Sequence, residues 1–117
     1  MATWTAWRKI ADRDFWYDDE FDHDGPACYE LAIGGPKYGN IRTVYVGETA
    51  NEKKRLSAYA QHGSHLSEII ASHLRQGWTL YYRAIAKPTK SAAKQLQNNL
   101  LHQFDYDWNL QLNPKEE

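Results

Sequence analysis

Hydrophobic and polar positions along this chain change period several times, and each change marks an element. Residues 27–33 (ACYELAI) and 41–47 (IRTVYVG) are short runs rich in apolar, β-branched and aromatic side chains, and each predicts a strand. Gly34, Gly35, Pro36, Gly39 and Asn40 lie between them, so the pair is expected to form an antiparallel hairpin. Upstream, Trp4, Trp7 and Ile10 recur as one face of a short helix would, and the acidic run Asp18 to Asp24 predicts a loop. Thr49 and Glu52 have the spacing of a capping box, which predicts a helix over 50–61 stopped by Gly63. Ser64 suits the N-cap of a second helix over 65–76, ended by Gly77. WTLYYRAIA (78–86) predicts a third strand, broken by Pro88. Thr89 or Ser91 then caps a third helix to about Phe104, with Ala93, Leu96, Leu100 and Phe104 as its apolar stripe. Asp105 to Asn113 reads as an aromatic turn and tail. The order β-β-α-α-β-α predicts an α+β fold: a small three-stranded antiparallel sheet flanked by helices. Residues 26–117 would form the domain and residues 1–25 a short N-terminal extension.

At 117 residues the chain is expected to be one domain, able to bury roughly two-thirds of its unfolded surface. A single cysteine, Cys28, excludes an internal disulfide and a multi-cysteine zinc site, and its strand setting predicts a small buried side chain. No apolar run approaches the roughly 20 residues of a membrane span, and the first residues do not read as a signal peptide. The expectation is a soluble cytoplasmic protein with no membrane partner. The net charge is −1. Its distribution is uneven: residues 1–50 hold five Lys/Arg and nine Asp/Glu, residues 51–102 eight and two, and residues 103–117 one and four. A positive middle of +6 therefore lies between ends of −4 and −3, enough for a basic face that binds phosphates. An ordinary solvated helix face has the same composition.

The densest chemistry lies in VYVGETANEKKR, from Val44 to Arg55. Tyr45 ends a strand and Arg55 falls on the helix after it, so a phenol and a guanidinium can share one groove and hold a phosphate. Arg55, Tyr59 and His62 fall on one helical face, with Lys53 and Lys54 close by. An isolated arginine here would read as a surface cation lying over the core. Gln97 stands at the edge of the apolar stripe of its helix, in the row of Ala93 and Leu101, where a polar group needs a partner. It is either a boundary residue bonded to backbone or a functional side chain. The histidines, His62, His65 and His73 among them, lack a recognisable ligand set for zinc. His65 and His73 could touch nucleic acid.

These residues resemble the motifs of the GIY-YIG nuclease family. ACYEL stands at the first motif, with Ala27 for its Gly, Cys28 for its Ile and Tyr29 for its Tyr. YVG at 45–47 matches the second. Arg55, ten residues after Tyr45, matches the helix arginine, Tyr59 the Tyr or His one turn later, and Asn109 the asparagine that closes the domain. The resemblance covers about residues 26–110. It implies hydrolysis of DNA phosphodiesters with one divalent ion, Mg2+ or Mn2+. Tyr29 and Tyr45 would position or deprotonate the attacking water, Arg55 would stabilise the pentacoordinate phosphorus, Tyr59 would assist placement, and Asn109 would support the site. Lys53, Lys54, His62, His65, Lys90 and Lys94 are the expected DNA contacts.

The chain departs from the pattern twice. Gln97 stands where the family has its metal-binding glutamate, and Glu48 lies in a stretch where many members place a lysine. A neutral amide is a poor substitute for the carboxylate a hard cation prefers, so Gln97 is expected to impair the metal site. Two explanations fit: a natural member that binds without cutting, or a Glu→Gln exchange in an active nuclease. The second is preferred because the rest of the set is in place. The alternative function is a non-cleaving nucleic-acid-binding module, with Trp78 and Tyr82 adding contacts. Site-specific cutting of both strands would favour a homodimer, though no oligomerisation stripe is visible.

Overall fold

The computed structural model describes residues 4–12, 25–35, 41–55 and 66–112. The acidic run at 18–24, the loop at 36–40, the helix past residue 55, Gly63 and Ser64 lie outside the described residues.

A four-stranded sheet organises the chain: β1 (Arg8–Ala11), β2 (Ala27–Gly34), β3 (Ile41–Thr49) and β4 (Thr79–Ala86) in the order β1-β4-β2-β3. Every neighbouring pair is antiparallel. β2 is buried along its whole length, as its near-continuous apolar sequence requires of a strand covered on both faces. Among the described residues, the longer helical segments are α1 (Ser67–Arg75), α2 (Lys90–Gln103) and α3 (Asp107–Leu112). On one face, Leu66 and the α1 residues Ile70 and Leu74 pack with Tyr29, Leu31, Val44 and Trp108. On the other, Ala93, Leu96 and Leu100 of α2 pack with Cys28, Val46 and Ile85. The α+β class is as the sequence predicts. Among the described residues no helix is long and apolar enough to cross a membrane.

The strand count is one higher than expected, because the segment read as an N-terminal helix is strand β1. Lys9 pairs with Tyr81 and Ala11 with Leu80, which leaves Ile10 as an extra residue in a β-bulge. The bulge buries both Ile10 and Ala11, so the strand lacks the alternation by which it could have been recognised. Before it, Thr5 donates its N–H to the Ala84 carbonyl at 2.8 Å and accepts the Ala84 N–H on Oγ1 at 3.1 Å. Backbone groups on the outer side of β4 are thereby satisfied.

Helix ends follow local chemistry, with two corrections. Gly77, at φ 94°, closes α1: its N–H reaches Leu74 O at 3.0 Å and Trp78 N–H reaches His73 O at 3.1 Å, the paired bonds of a Schellman cap. Thr89 caps α2 by accepting Ala92 N–H at 3.1 Å. The Thr49–Glu52 box does not form. β3 runs on through Thr49, and Asn51 caps the helical turn at 52–55 by accepting Lys54 N–H at 3.0 Å. Thr49 Oγ1 instead accepts the Asn51 N–H at 3.0 Å, a side-chain turn joining strand to helix. The α1 cap position is Leu66, buried and without a capping side chain, rather than Ser64. The tail expected after Asp105 is helix α3, which buries Trp108 and Asn109.

Candidate active site

The site is built on the edge strand β3. Leu31 pairs with Tyr45 but Ala32 with Thr43, so Val44 is an extra residue in β3 and marks a bulge. In such a bulge consecutive side chains lean the same way, and Val44 and Tyr45 both join the cluster that holds Tyr29. The Tyr29 and Tyr45 rings lie 6.3 Å apart at 40°. Both are buried, at 2% and 7% exposure. Tyr29 pairs with Gly47, and a Cβ built on Gly47 would stand 2.5 Å from the Tyr29 hydroxyl oxygen. The glycine of the YVG motif is thus what lets the phenol cross β3.

Burial pushes the Tyr45 phenol above its ordinary value of 10.0, and the negative charge of Glu48 adds to this. The Arg55 guanidinium and the hydrogen bond with Tyr29 pull the other way. Tyr29, Arg55 and Glu48 therefore all act on the Tyr45 phenol. Arg55 is exposed, and it lines an open depression of about 370 Å³ with Thr49, Ala50, Asn51 and Lys54. Lys53 is exposed on the same helical turn.

Asn109 reaches β3 from α3. Its Oδ1 accepts Val46 N–H at 2.9 Å and its Nδ2 donates to Val46 O at 3.1 Å. The carboxamide replaces a missing strand, satisfying the outward backbone groups of the residue between Tyr45 and Gly47. It ties the middle of the tyrosine strand to α3.

Gln97 is half-buried on α2, and Lys94 on the same helix is exposed. The Lys90 ammonium bonds Glu48 Oε1 at 3.1 Å at one end of α2, and Phe104, just past the other end, lines a cavity with Thr43. The helix covers ~21 Å from 90 to 104 and the strand ~17 Å from 48 to 43, so α2 runs antiparallel to β3. Gln97, midway along, is level with Tyr45 and Val46. It lies seven residues from Lys90, on the helix face that carries Lys90 to Glu48. The phenols occupy the α1 side of the sheet and Gln97 the α2 side, with the edge of β3 between them. Tyr59, His62 and His65 lie outside the described residues.

Three features went unread in the sequence. Glu48 side-chain exposure is 15%, and its Oε2 is buried with no hydrogen-bond partner among the described residues. Glu30, a lone charge in an apolar strand, accepts from Arg83 Nε at 2.7 Å and Tyr106 Oη at 2.6 Å. Trp4 and Trp7 flank the same guanidinium at 4.7 and 4.8 Å. A cavity of about 270 Å³ opens there, between Glu30, Thr43, Arg83 and Phe104. Two expected contacts change: Tyr82 is buried in the core and cannot meet nucleic acid, and His73 Nδ1 bonds Ile69 O at 2.8 Å. Burial also pushes the Cys28 thiol up from 9.0 to about 12, which agrees with a packing role. Among the described residues no group of three or more His, Cys, Asp or Glu is poised around a cation. A site for Mg2+ would need only one or two carboxylates with water and phosphate oxygens. Gln97 offers a neutral oxygen; Glu48 Oε2 offers a charged and unpartnered one.

A family model described as "GIY-YIG domain-containing protein" matches residues 22–117. The chain belongs to the GIY-YIG family. It is similar to Protein EFFECTOR OF TRANSCRIPTION 3 of Arabidopsis thaliana, at 30% identity over 112 residues, covering 87% of this chain and 42% of that protein. It is also similar to HVA22-like protein k of Arabidopsis thaliana, at 28% identity over 86 residues, covering 67% of this chain and 43% of that protein. The matches thus span less than half the length of these curated relatives. No solved structure matches the chain.

Proposed function

We propose that this chain binds DNA and hydrolyses its phosphodiester bonds, with the reaction weakened by glutamine at position 97. The observation that supports this most is the pair of buried phenols with rings 6.3 Å apart on strands β2 and β3, with Arg55 exposed on the helical turn that follows β3. A proton taken from water would go to the Tyr45 oxygen in its phenolate form. Tyr29 and Arg55 would stabilise that phenolate against the cost of burial. Arg55, exposed at the rim, would meet the charge that gathers on the phosphate oxygens. Asn109 would hold Tyr45 in place through Val46. Lys53, Lys54, Lys90 and Lys94 would contact neighbouring phosphates, giving affinity without sequence preference. A divalent cation, Mg2+ or Mn2+, would supply Lewis-acid polarisation of the scissile phosphate when bound. The name of one relative speaks of transcription, which agrees with a DNA substrate. One such centre cuts one strand per encounter, so cutting both strands at one place would take a second copy. The proposed setting is the cytoplasm, where the free thiol of Cys28 would stay reduced.

Supercoiled plasmid with Mg2+ tests this. The variant Gln97→Glu should nick it faster than the chain with Gln97. A folded Gln97→Glu variant that cuts no plasmid, single-stranded or branched DNA would refute the hydrolytic reading. The neutral Gln97 favours one other reading, a module that binds DNA without cutting. It is distinguished by salt-dependent binding that Arg55→Ala weakens while neither chain nicks.

A further inference from the structure

We propose that Glu48 is the carboxylate that holds a divalent cation in this chain, in place of the side chain at position 97. This rests on the hydrolytic reading above and identifies the residue that serves it.

Glu48 Oε2 is buried and has no hydrogen-bond partner among the described residues, while Oε1 is bonded to Lys90 at 3.1 Å. A carboxylate oxygen taken out of water and left unpaired is costly, and natural structures seldom keep one without a use. A hard cation with its own water shell repairs that deficit, since Mg2+ and Mn2+ take oxygen ligands and need few from protein. The position suits the chemistry. Glu48 follows Gly47, pairs with Cys28 across the sheet, and so lies on the α2 side, the side of Gln97. It is close enough to Tyr45 for its charge to act on the phenol. A cation on Oε2 would offset that charge and favour the phenolate. Lys90 holds the other oxygen and so fixes the carboxylate while competing for its charge.

Line broadening of backbone amides by substoichiometric Mn2+ locates such a site without any turnover. In the unsubstituted chain broadening should centre on residues 47–49 and on Cys28. Glu48→Gln should weaken it roughly tenfold or more, as loss of a ligand does. Lys90→Ala, which frees the competing oxygen, should strengthen it. Gln97→Ala should leave it in place. Undiminished broadening in a folded Glu48→Gln chain, broadening centred on α2 that Gln97→Ala abolishes, or no localised broadening at all would overturn the assignment. Plasmid nicking by Gln97→Glu is read separately. Nicking without Mn2+ at Glu48 leaves the hydrolytic reading standing and this one lost. Mn2+ at Glu48 without nicking by either chain gives the reverse.

Discussion

Tyr29 lies across Gly47 so closely that a methyl group there would stand 2.6 Å from the ring carbon bearing the hydroxyl. The contact joins the two tyrosine motifs through backbone rather than through side chains. A single added methyl must push the phenol off Tyr45. Gly47→Ala is expected to cost about 1–3 kcal/mol, as overpacking does, and to remove the Tyr29–Tyr45 hydrogen bond. Urea unfolding gives the first effect. Restoring the melting midpoint with the double variant Gly47→Ala, Tyr29→Phe, which takes away the clashing oxygen, would confirm the cause.

Asn109 supplies two buried hydrogen bonds to Val46. Asn109→Ala leaves a strand N–H and C=O unpaired and should cost about 2–4 kcal/mol. Asn109→Asp keeps the acceptor for Val46 N–H but turns a carboxylate oxygen against Val46 O. It should be less stable near neutral pH than in mild acid, where the protonated acid can donate. Denaturation midpoints at the two pH values show the difference.

Tyr106 and Arg83 share the buried carboxylate of Glu30, on the face of β2 opposite Tyr29. Tyr106→Phe removes one partner and should cost about 1–3 kcal/mol. DNA binding should not change, since the contact anchors the start of α3 away from Arg55. A fall in affinity without a fall in stability would place this cluster within the DNA-binding surface.

Alkaline pH should act on both stability and rate. The Cys28 thiol moves from 9.0 unfolded to about 12 folded, so the native state holds a proton that the unfolded state releases. Stability from this source is complete below pH 9 and is lost as pH rises toward 12. Cys28→Ala should flatten the decline, as read from urea midpoints across that range. Tyr45 also sits above 10.0. If it acts as the base, cleavage by Gln97→Glu should rise about tenfold per pH unit through the range below its pKa. A rate that stays flat from neutral pH upward would remove Tyr45 from that role.

Much of this molecule was legible from its sequence, for local reasons. β2 and β4 carry continuous or alternating apolar patterns, and Thr89 and Gly77 mark helix ends by chemistry that acts within a few residues. The order and spacing of Tyr29, Tyr45, Arg55 and Asn109 carried the resemblance to the GIY-YIG family, and the family match bears that resemblance out. β1 was not, because its bulge buries Ile10 and Ala11 together and breaks the period. α3 was missed because its six residues are too few to show one. The capping box was misplaced because β3 extends through Glu48 and Thr49, a consequence of pairing with Cys28 and Ala27 rather than of local preference. Glu48 drew notice only as a departure from a motif. Its partner Lys90 is 42 residues away, so that pairing exists only once α2 has packed.

The central claim, that Arg55, the phenols and position 97 serve one reaction, is tested most directly by measuring nicking in the Gln97→Glu background with and without Arg55→Ala. A shared centre predicts Mg2+-dependent nicking that falls by about 10²–10³ when the guanidinium is removed, the usual loss for one transition-state donor. Equal nicking rates in the two chains, both folded and both bound to DNA, would contradict it.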